Sequence, residues 1–406
     1  MKLQQDTDEK QFSAGRFFVL SLTVACFSLY IVDSLAGVYL HDLAVAFFGS
    51  SDPAFVAITS QLGTVSSVVS VAVGLLLGAL SVRFNHKKLM VLGTSFIPVG
   101  AVGCFLAPNF LFLQIFYALE GIGTIVAGVM AIVLVGEMLS LSERPKATGW
   151  IYTGPAIAGI AANLVISLFF SGADGWRQFL LWFALPVSLI ALAVAYFGVP
   201  SQTQKQAGTV EKEAYLSSYK KVFLRKSAAA CLIGNMIKMA GALWIIYLVA
   251  FLMTKFNLPL TEGALVFMGV TVAMTVSHPA GGYLVNKLGR KNLLVATTII
   301  QSATVPLIAF VPDLWVVIGI AFAAVIVGGL GLPASANLAL EQVPESRTTM
   351  MSFNTVLMTV GGGLATAVGG LALAFFDYTG MFLTFAALGF AAAAIFLFWT
   401  KDPCRT

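Results

Sequence analysis

The sequence predicts an all-α integral membrane protein with twelve transmembrane helices in two pseudo-symmetric six-helix bundles. Three observations carry this reading. Of 406 residues, 59% are hydrophobic and only 10% charged, with a mean hydropathy of +0.92. A water-facing surface needs roughly a quarter of residues charged, so a soluble domain is excluded. Apolar runs of about 18 or more residues recur along the whole chain, each enough to cross a bilayer core of about 30 Å as a helix. Finally, two patterns of loop residues recur at an offset of half the chain.

In chain order the runs are 16–40, 55–81, 88–107, 110–139, 147–170, 177–199, 227–254, 262–285, 291–311, 314–340, 348–372 and 378–400. Several contain Gly or Pro, which neighbouring helices make tolerable within a membrane. Their length and lack of alternation exclude porin-like strands. The first run is too long for a signal peptide, follows an acidic leader (Asp6, Asp8, Glu9) and lacks a small-residue cleavage pattern.

Charge sets the topology. With the N-terminus inside, all but three of the 23 Lys and Arg residues fall on the cytoplasmic side. Arg177 and Lys255 lie outside, and Lys238 lies within a span. This is the positive-inside bias. It places both termini in the cytoplasm and makes the lipid bilayer the partner that the pI near 9.0 reflects, with no nucleic acid needed.

The loops then reveal the repeat. GGYLVNKLGRKNLL (281–294) has an earlier counterpart in GALSVRFNHKKLM (78–90). Gly78 and Gly282 are 204 residues apart (282 − 78), and Arg144 and Arg347 are 203 apart (347 − 144). Two landmarks at one offset divide the chain into an N-terminal bundle 1–199, a cytoplasmic linker 200–226 and a C-terminal bundle 227–406. Within the linker, EKEAYLSSYKKVFL reads either as a surface helix or as a solvated basic tether.

These segments resemble the loop signature of the major facilitator superfamily, in outline G-x-L-a-D-r-x-G-r-k. GYLVNKLGRK (282–291) fits it, with Asn286 where the acid stands, and GALSVRFNHK (78–87) has Val82 there. The resemblance implies a twelve-helix transporter fold. It also implies a cytoplasmic gate involving Gly78, Arg83, Arg144, Gly282, Asn286, Arg290 and Arg347. In physical terms the glycines let helix backbones approach closely, and the cations bind the last carbonyls of helices. The alternative is that these residues only set topology. GWIYTGPAIAG (149–159) is similar to the glycine–proline signature of the drug/proton antiporter branch, with Ala158 in place of one glycine. It nominates Gly154, Pro155 and Gly159 as helix-bending residues, against plain small-residue packing. GGGLATAVGG (361–370) echoes it, and GADGWRQFLLWFALP (172–186) resembles the G-W-R…P start of that branch's sixth helix.

Charges inside apolar spans are functional candidates because each costs roughly 2.5–3.5 kcal/mol at the bilayer centre. Asp33, Glu120, Lys238 and His278 qualify. The first, fourth, seventh and tenth helices line the central cavity of the fold that the resemblance implies. Asp33, Glu120 and Lys238 sit on three of these. Asp33 and Lys238 are also 205 apart (238 − 33), near-equivalent positions of the repeat that are expected to pair in one conformation, either as part of transport or as a structural ion pair. Glu120 suits proton or cation handling, or a hydrogen-bonded structural role. Tyr30, Tyr117, Thr124 and Asn235 share helical faces with these charges and are expected to line the cavity. His278, followed by Pro279, reads as a kink residue or a relay.

Other chemistry is sparse. Cys26, Cys104, Cys231 and Cys404 are scattered, and no metal or nucleophile motif is present. GIGTIVAG (121–128) reads as helix packing, not a nucleotide loop. The expected activity is secondary active transport by alternating access, through proton-coupled export of small organic or lipophilic compounds. The proton gradient takes the place of any cofactor. Two alternatives stand: an importer, exchanger or uniporter of an organic anion with Lys238 as counter-charge, or a membrane enzyme acting on lipids, for which catalytic residues are lacking. A monomer in the cell membrane is expected.

Overall fold

The structure, a computed structural model, describes residues 17–139, 144–172, 174–200, 222, 224–344 and 347–403. Most of the linker and Cys404 lie outside them. Among the described residues every regular element is helical. Nine helices there are long and apolar enough to cross a membrane by length and composition. One of these holds two of the expected spans, because Arg347–Trp399 is two helices joined across Asp377 (φ 56°). The first and fifth spans correspond to the shorter apolar helices Phe17–Ser28 and Gly154–Phe169.

The first span departs from expectation. It is not one helix over 16–40: the helix Phe17–Ser28 stops, residues 29–33 form turns, and short helices follow at Ser34–Gly37 and Leu40–Phe48. Through the break, amides bond three residues back, Leu29 to Cys26, Ile31 to Ser28, Ser34 to Ile31 and Leu35 to Val32. No proline or glycine marks the spot in sequence. Broken helices at membrane depth survive where protein groups satisfy the freed backbone, and side chains do so here.

The chain forms two compact units. One comprises residues up to Leu35 together with Ala72–Ala207. Its helices His86–Phe105 and Phe110–Met138 are joined by a turn in which Asn109 caps the second, its side chain accepting the Phe112 amide at 2.9 Å. They approach so closely that a Cβ on Gly123 would lie 2.7 Å from the Gly93 carbonyl oxygen. Helix Arg144–Phe169 packs as tightly on Phe17–Ser28, since a Cβ on Gly154 would lie 2.8 Å from the Thr23 oxygen. The π-turn Leu180–Ala184 absorbs the amide that Pro186 lacks.

The other unit comprises Ala36–Val71 and Gly208–Thr406. Helix Lys226–Ala242 continues through a 3₁₀ turn, Leu243–Tyr247, into Leu248–Phe256. A buried aromatic core of Trp244, Tyr247, Phe251, Phe382 and Phe385 fixes this segment against Arg347–Trp399, with Phe251 edge-on to Phe382 at 5.1 Å. Helix Leu260–Leu288 packs on Leu314–Gln342 where Gly281 meets Leu330.

Candidate functional site

The helix break positions the first half of the site. It exposes the Leu29 carbonyl and carries Asp33 in its turn. Facing it on Phe110–Met138 are Tyr117, Glu120 and Thr124, spaced at three and four residues along one helical stripe. The Tyr117 hydroxyl donates to Asp33 Oδ1 at 3.1 Å. Thr124 Oγ1 lies 2.9 Å from Glu120 Oε1 and 3.1 Å from the Leu29 oxygen. Glu120 is 0% exposed, and its second oxygen, Oε2, has no hydrogen-bond partner among the described residues. The two carboxyl groups are near enough to act on each other electrostatically. The stripe expected from spacing is therefore assembled. Tyr30, by contrast, is 43% exposed.

The second unit holds a different polar cluster. Lys238, 8% exposed, lies in Lys226–Ala242 with its Cε 3.9 Å from where a Cβ on Gly331 would sit. One turn away, Asn235 is fully engaged: its Nδ2 donates to Asn354 Oδ1 at 2.7 Å, and its Oδ1 accepts from Ser335 at 2.7 Å. Asn235 is thus a buried node joining three helices. Ser335 and Asn354 were invisible to a search for charges. His278 also lies in this unit, within electrostatic range of Lys238, and its Nε2 is buried without a partner among the described residues. Asp33 and Lys238 fall in different units.

A polar seam in the same unit also escaped sequence reasoning. Tyr247 donates to Ser60 at 2.9 Å and reaches the Thr366 oxygen at 3.1 Å. Gln61 Nε2 donates to that same oxygen at 3.1 Å, and the Thr64 and Thr366 hydroxyls lie 2.7 Å apart. Ser60 and Thr64 sit four residues apart, the one sequence signal available.

Of the expected gate residues, the side chains of Arg83, Arg144, Asn286 and Arg347 and the surroundings of Gly78 lie outside the described residues. Gly282 corrects the close-approach expectation, for nothing lies within 4 Å of a Cβ built there; its neighbour Gly281 makes the backbone contact instead. Arg290 meets an acid that the sequence reading overlooked, Asp402, at 3.9 Å. Asp402 Oδ2 also accepts the Lys291 amide at 3.3 Å, and Lys291 Nζ donates to the Leu397 oxygen at 2.8 Å. Gly154 serves close packing, Pro155 lies inside a continuous helix, and the Gly159 oxygen accepts from Asn163 at 2.6 Å. Arg177 donates to the Ala107 oxygen at 3.0 Å and stacks on Trp176, which secures the start of its helix. No group of three or more His, Cys, Asp or Glu residues suited to a metal occurs among the described residues.

A multi-pass helical membrane protein with carboxyl groups and hydroxyls at a broken helix has the makings of a solute carrier. Comparison with known proteins bears on this. The family model of the Major Facilitator Superfamily matches residues 17–247 and 232–406. An uncharacterized MFS-type transporter of Mycobacterium tuberculosis strain H37Rv is 31% identical over 167 residues, 39% of this chain and 22% of that protein. YvkA of Bacillus subtilis, also described as an uncharacterized MFS-type transporter, is 21% identical over 189 residues, 47% of this chain and 41% of that protein. The chain thus spans less than half the length of these curated relatives. Among solved structures, a D-xylose-proton symporter superposes with a TM-score of 0.79 at 14% identity, covering 95% of this chain and 98% of that one. A bacterial homolog of the human lysosomal transporter Spinster, inward-facing and unoccupied, gives 0.72 at 17% identity, over 97% and 99%. Those likenesses speak for the fold. The chain belongs to the major facilitator superfamily.

Proposed function

We propose that this protein is a secondary active transporter working by alternating access, and that it couples proton movement to export of small organic or lipophilic compounds. The carrying observation is a pair of carboxyl groups, the half-buried Asp33 and the fully buried Glu120, each held by a single hydroxyl donor at a break in a membrane helix. Each buried oxygen of a structural acid ordinarily has at least one hydrogen-bond partner. Glu120 keeps one oxygen bare, which suits a group that gains and loses a proton. Family relatives named as MFS-type transporters support the class of activity, and the glycine–proline stretch 149–159 supports the antiporter branch. The proposed location is the cell membrane, and the charge bias supports both termini lying in the cytoplasm.

The test is proton movement in proteoliposomes loaded with a pH-sensitive dye, during addition of a chemically varied compound panel. A compound-dependent proton flux that Asp33→Asn or Glu120→Gln abolishes is the expected result, and its sign separates export from import. Compounds crossing with no proton flux would refute the coupling.

A second reading rests on Lys238. Lys238 is 8% exposed, and within its unit no described group accepts a hydrogen bond from its ammonium. The described carboxylates of that unit all stand at helix ends or turns, such as Glu262, Asp313, Asp377 and Asp402. A buried cation without a counter-charge is costly. An anionic group on the transported compound would supply one, which supports an organic-anion importer, exchanger or uniporter.

A further inference from the structure

Thr124 occupies a position that an ordinary membrane threonine does not. Most threonines in these helices return their hydroxyl hydrogen to a carbonyl four residues back, as Thr271 does to Phe267 and Thr298 to Leu294. Thr124 instead lies between a carboxyl oxygen of Glu120 at 2.9 Å and the Leu29 carbonyl at 3.1 Å, on the far side of the helix break. A hydroxyl has one hydrogen and two lone pairs. That count decides what the arrangement can do.

With Glu120 ionised, both neighbours of the hydroxyl are acceptors, and only one can receive its hydrogen. The carboxylate takes it, because charge-assisted bonds are the stronger, and the Leu29 oxygen loses its donor. With Glu120 protonated on Oε1, the carboxyl O–H donates to Thr124 Oγ1, and the threonine hydrogen turns to Leu29. Every group in the chain Glu120–Thr124–Leu29 is then satisfied. The bare Oε2 becomes the carbonyl oxygen of a neutral acid, the form that best tolerates lacking a donor. Asp33 accepts a hydrogen from Tyr117 at the other end of the same stripe. The other titratable groups facing Glu120 are Tyr117 on its own helix, Asp33 on the break and Cys104 on His86–Phe105.

We propose that Thr124 is the positioning residue that transmits the protonation state of Glu120 to the broken first helix. Protonation caps the Leu29 carbonyl and firms the turn 29–33. Deprotonation withdraws the cap and loosens a stretch already held by three-residue bonds of 3.0 to 3.4 Å. That stretch ends where the chain leaves its unit, between Leu35 and Ala36. The inference rests on the proton-coupling reading of Glu120, and adds to it how the proton acts on the fold.

The experiment is hydrogen exchange by mass spectrometry on the full chain in lipid nanodiscs, following the segment 29–35 from pH 5.5 to 8.5 with intrinsic rates normalised. The probe is the proton alone. In the wild type, exchange of this segment rises about tenfold across one titration step, the equivalent of one lost hydrogen bond. Glu120→Gln, whose amide donates permanently, stays slow throughout. Thr124→Val stays fast throughout, and Thr124→Ser restores the step. A step that persists in Thr124→Val, or in Glu120→Gln, overturns the proposal, as does its absence from the wild type. Should the step appear while proteoliposomes show no proton flux, the transport reading fails and the Thr124 link stands. Flux without the step leaves the transport reading intact and overturns the Thr124 link.

Discussion

Glycine 123 sits between Glu120 and Thr124 and controls how closely their helix approaches its neighbour. A Cβ there would lie 2.7 Å from the Gly93 oxygen, 2.6 Å from Ile97 Cδ1 and 3.1 Å from Phe96 Cβ. The isoleucine methyl can rotate away, but the carbonyl oxygen is backbone. Restoring an ordinary contact requires the two helices to part by roughly half an ångström, and overpacking of this kind costs about 1–3 kcal/mol. Alanine also gains up to about 1 kcal/mol over glycine in a helix, so the single variant blends two opposed effects. Gly128 separates them. It lies on the same helix, and its added Cβ would meet only Leu29 Cδ1 at 3.8 Å, an ordinary contact. The clash alone is therefore the difference between Gly123→Ala and Gly128→Ala, about 1–3 kcal/mol. Thermal unfolding followed by circular dichroism in one detergent measures it, with Gly128→Ala at or above the wild type and Gly123→Ala several degrees below Gly128→Ala. Gly93→Ala makes the reciprocal clash, 2.7 Å from the Ala127 amide. Once one methyl has parted the helices the second costs less, so the double variant falls short of the sum. Equal melting temperatures for Gly123→Ala and Gly128→Ala would refute the close-packing argument.

Two further outcomes follow from the second unit. Lys238→Met removes a buried cation with no acceptor among the described residues of its unit, so in detergent it melts at or above the wild type; if an organic anion is the substrate, the variant loses stabilisation by added carboxylates such as benzoate while keeping that by their methyl esters. A marked loss of stability in Lys238→Met would show that the lysine is structurally paired. Lys255 donates to the Ala309 and Val311 oxygens at 2.7 and 2.8 Å and lies 5.3 Å from the Phe251 and Phe256 rings. Lys255→Met leaves those carbonyls to water and lowers stability by about 1 kcal/mol, with Lys255→Arg largely restoring it; no change in melting temperature would count against the cap.

The helices were legible because their signal is length, and no local interaction competes with twenty apolar residues in a row. Asp33, Glu120 and Lys238 were legible because charge is so rare in such runs that each stands out without knowledge of its neighbours. The break after Ser28 was not legible. Leu29 to Leu35 contains neither proline nor glycine, and the group that meets the freed Leu29 carbonyl is the Thr124 hydroxyl, 95 residues away. Asp402 shows the same limit from the other side. The second loop copy lacks its acid at Asn286, and the acid that meets Arg290 comes from the tail beyond the last helix, where no repeat-based argument would place it. Likewise Asn235 could be found by its spacing from Lys238, but its partners Ser335 and Asn354 lie 100 and 119 residues on.

The two polar clusters differ in kind, and the difference follows from their side chains. Around Asn235 the donors and acceptors are mostly amide groups, whose nitrogen always donates and whose oxygen always accepts. Ser335 donates into the Asn235 oxygen, and the Asn235 nitrogen donates onward to Asn354, so that series runs in one direction. It can hold helices together, but it cannot reverse when a proton arrives. Glu120, Thr124 and Tyr117 are carboxyl and hydroxyl groups, which can swap donor for acceptor without moving a heavy atom. A reversible series ending on a backbone carbonyl at a helix break turns a change of protonation into a change of backbone support. On the proton-coupling proposal, the proton-responsive part of the protein is the unit that contains Glu120. The unit that contains Lys238 has fixed charge and fixed geometry, which on the same proposal suits it to recognising a compound rather than responding to a proton.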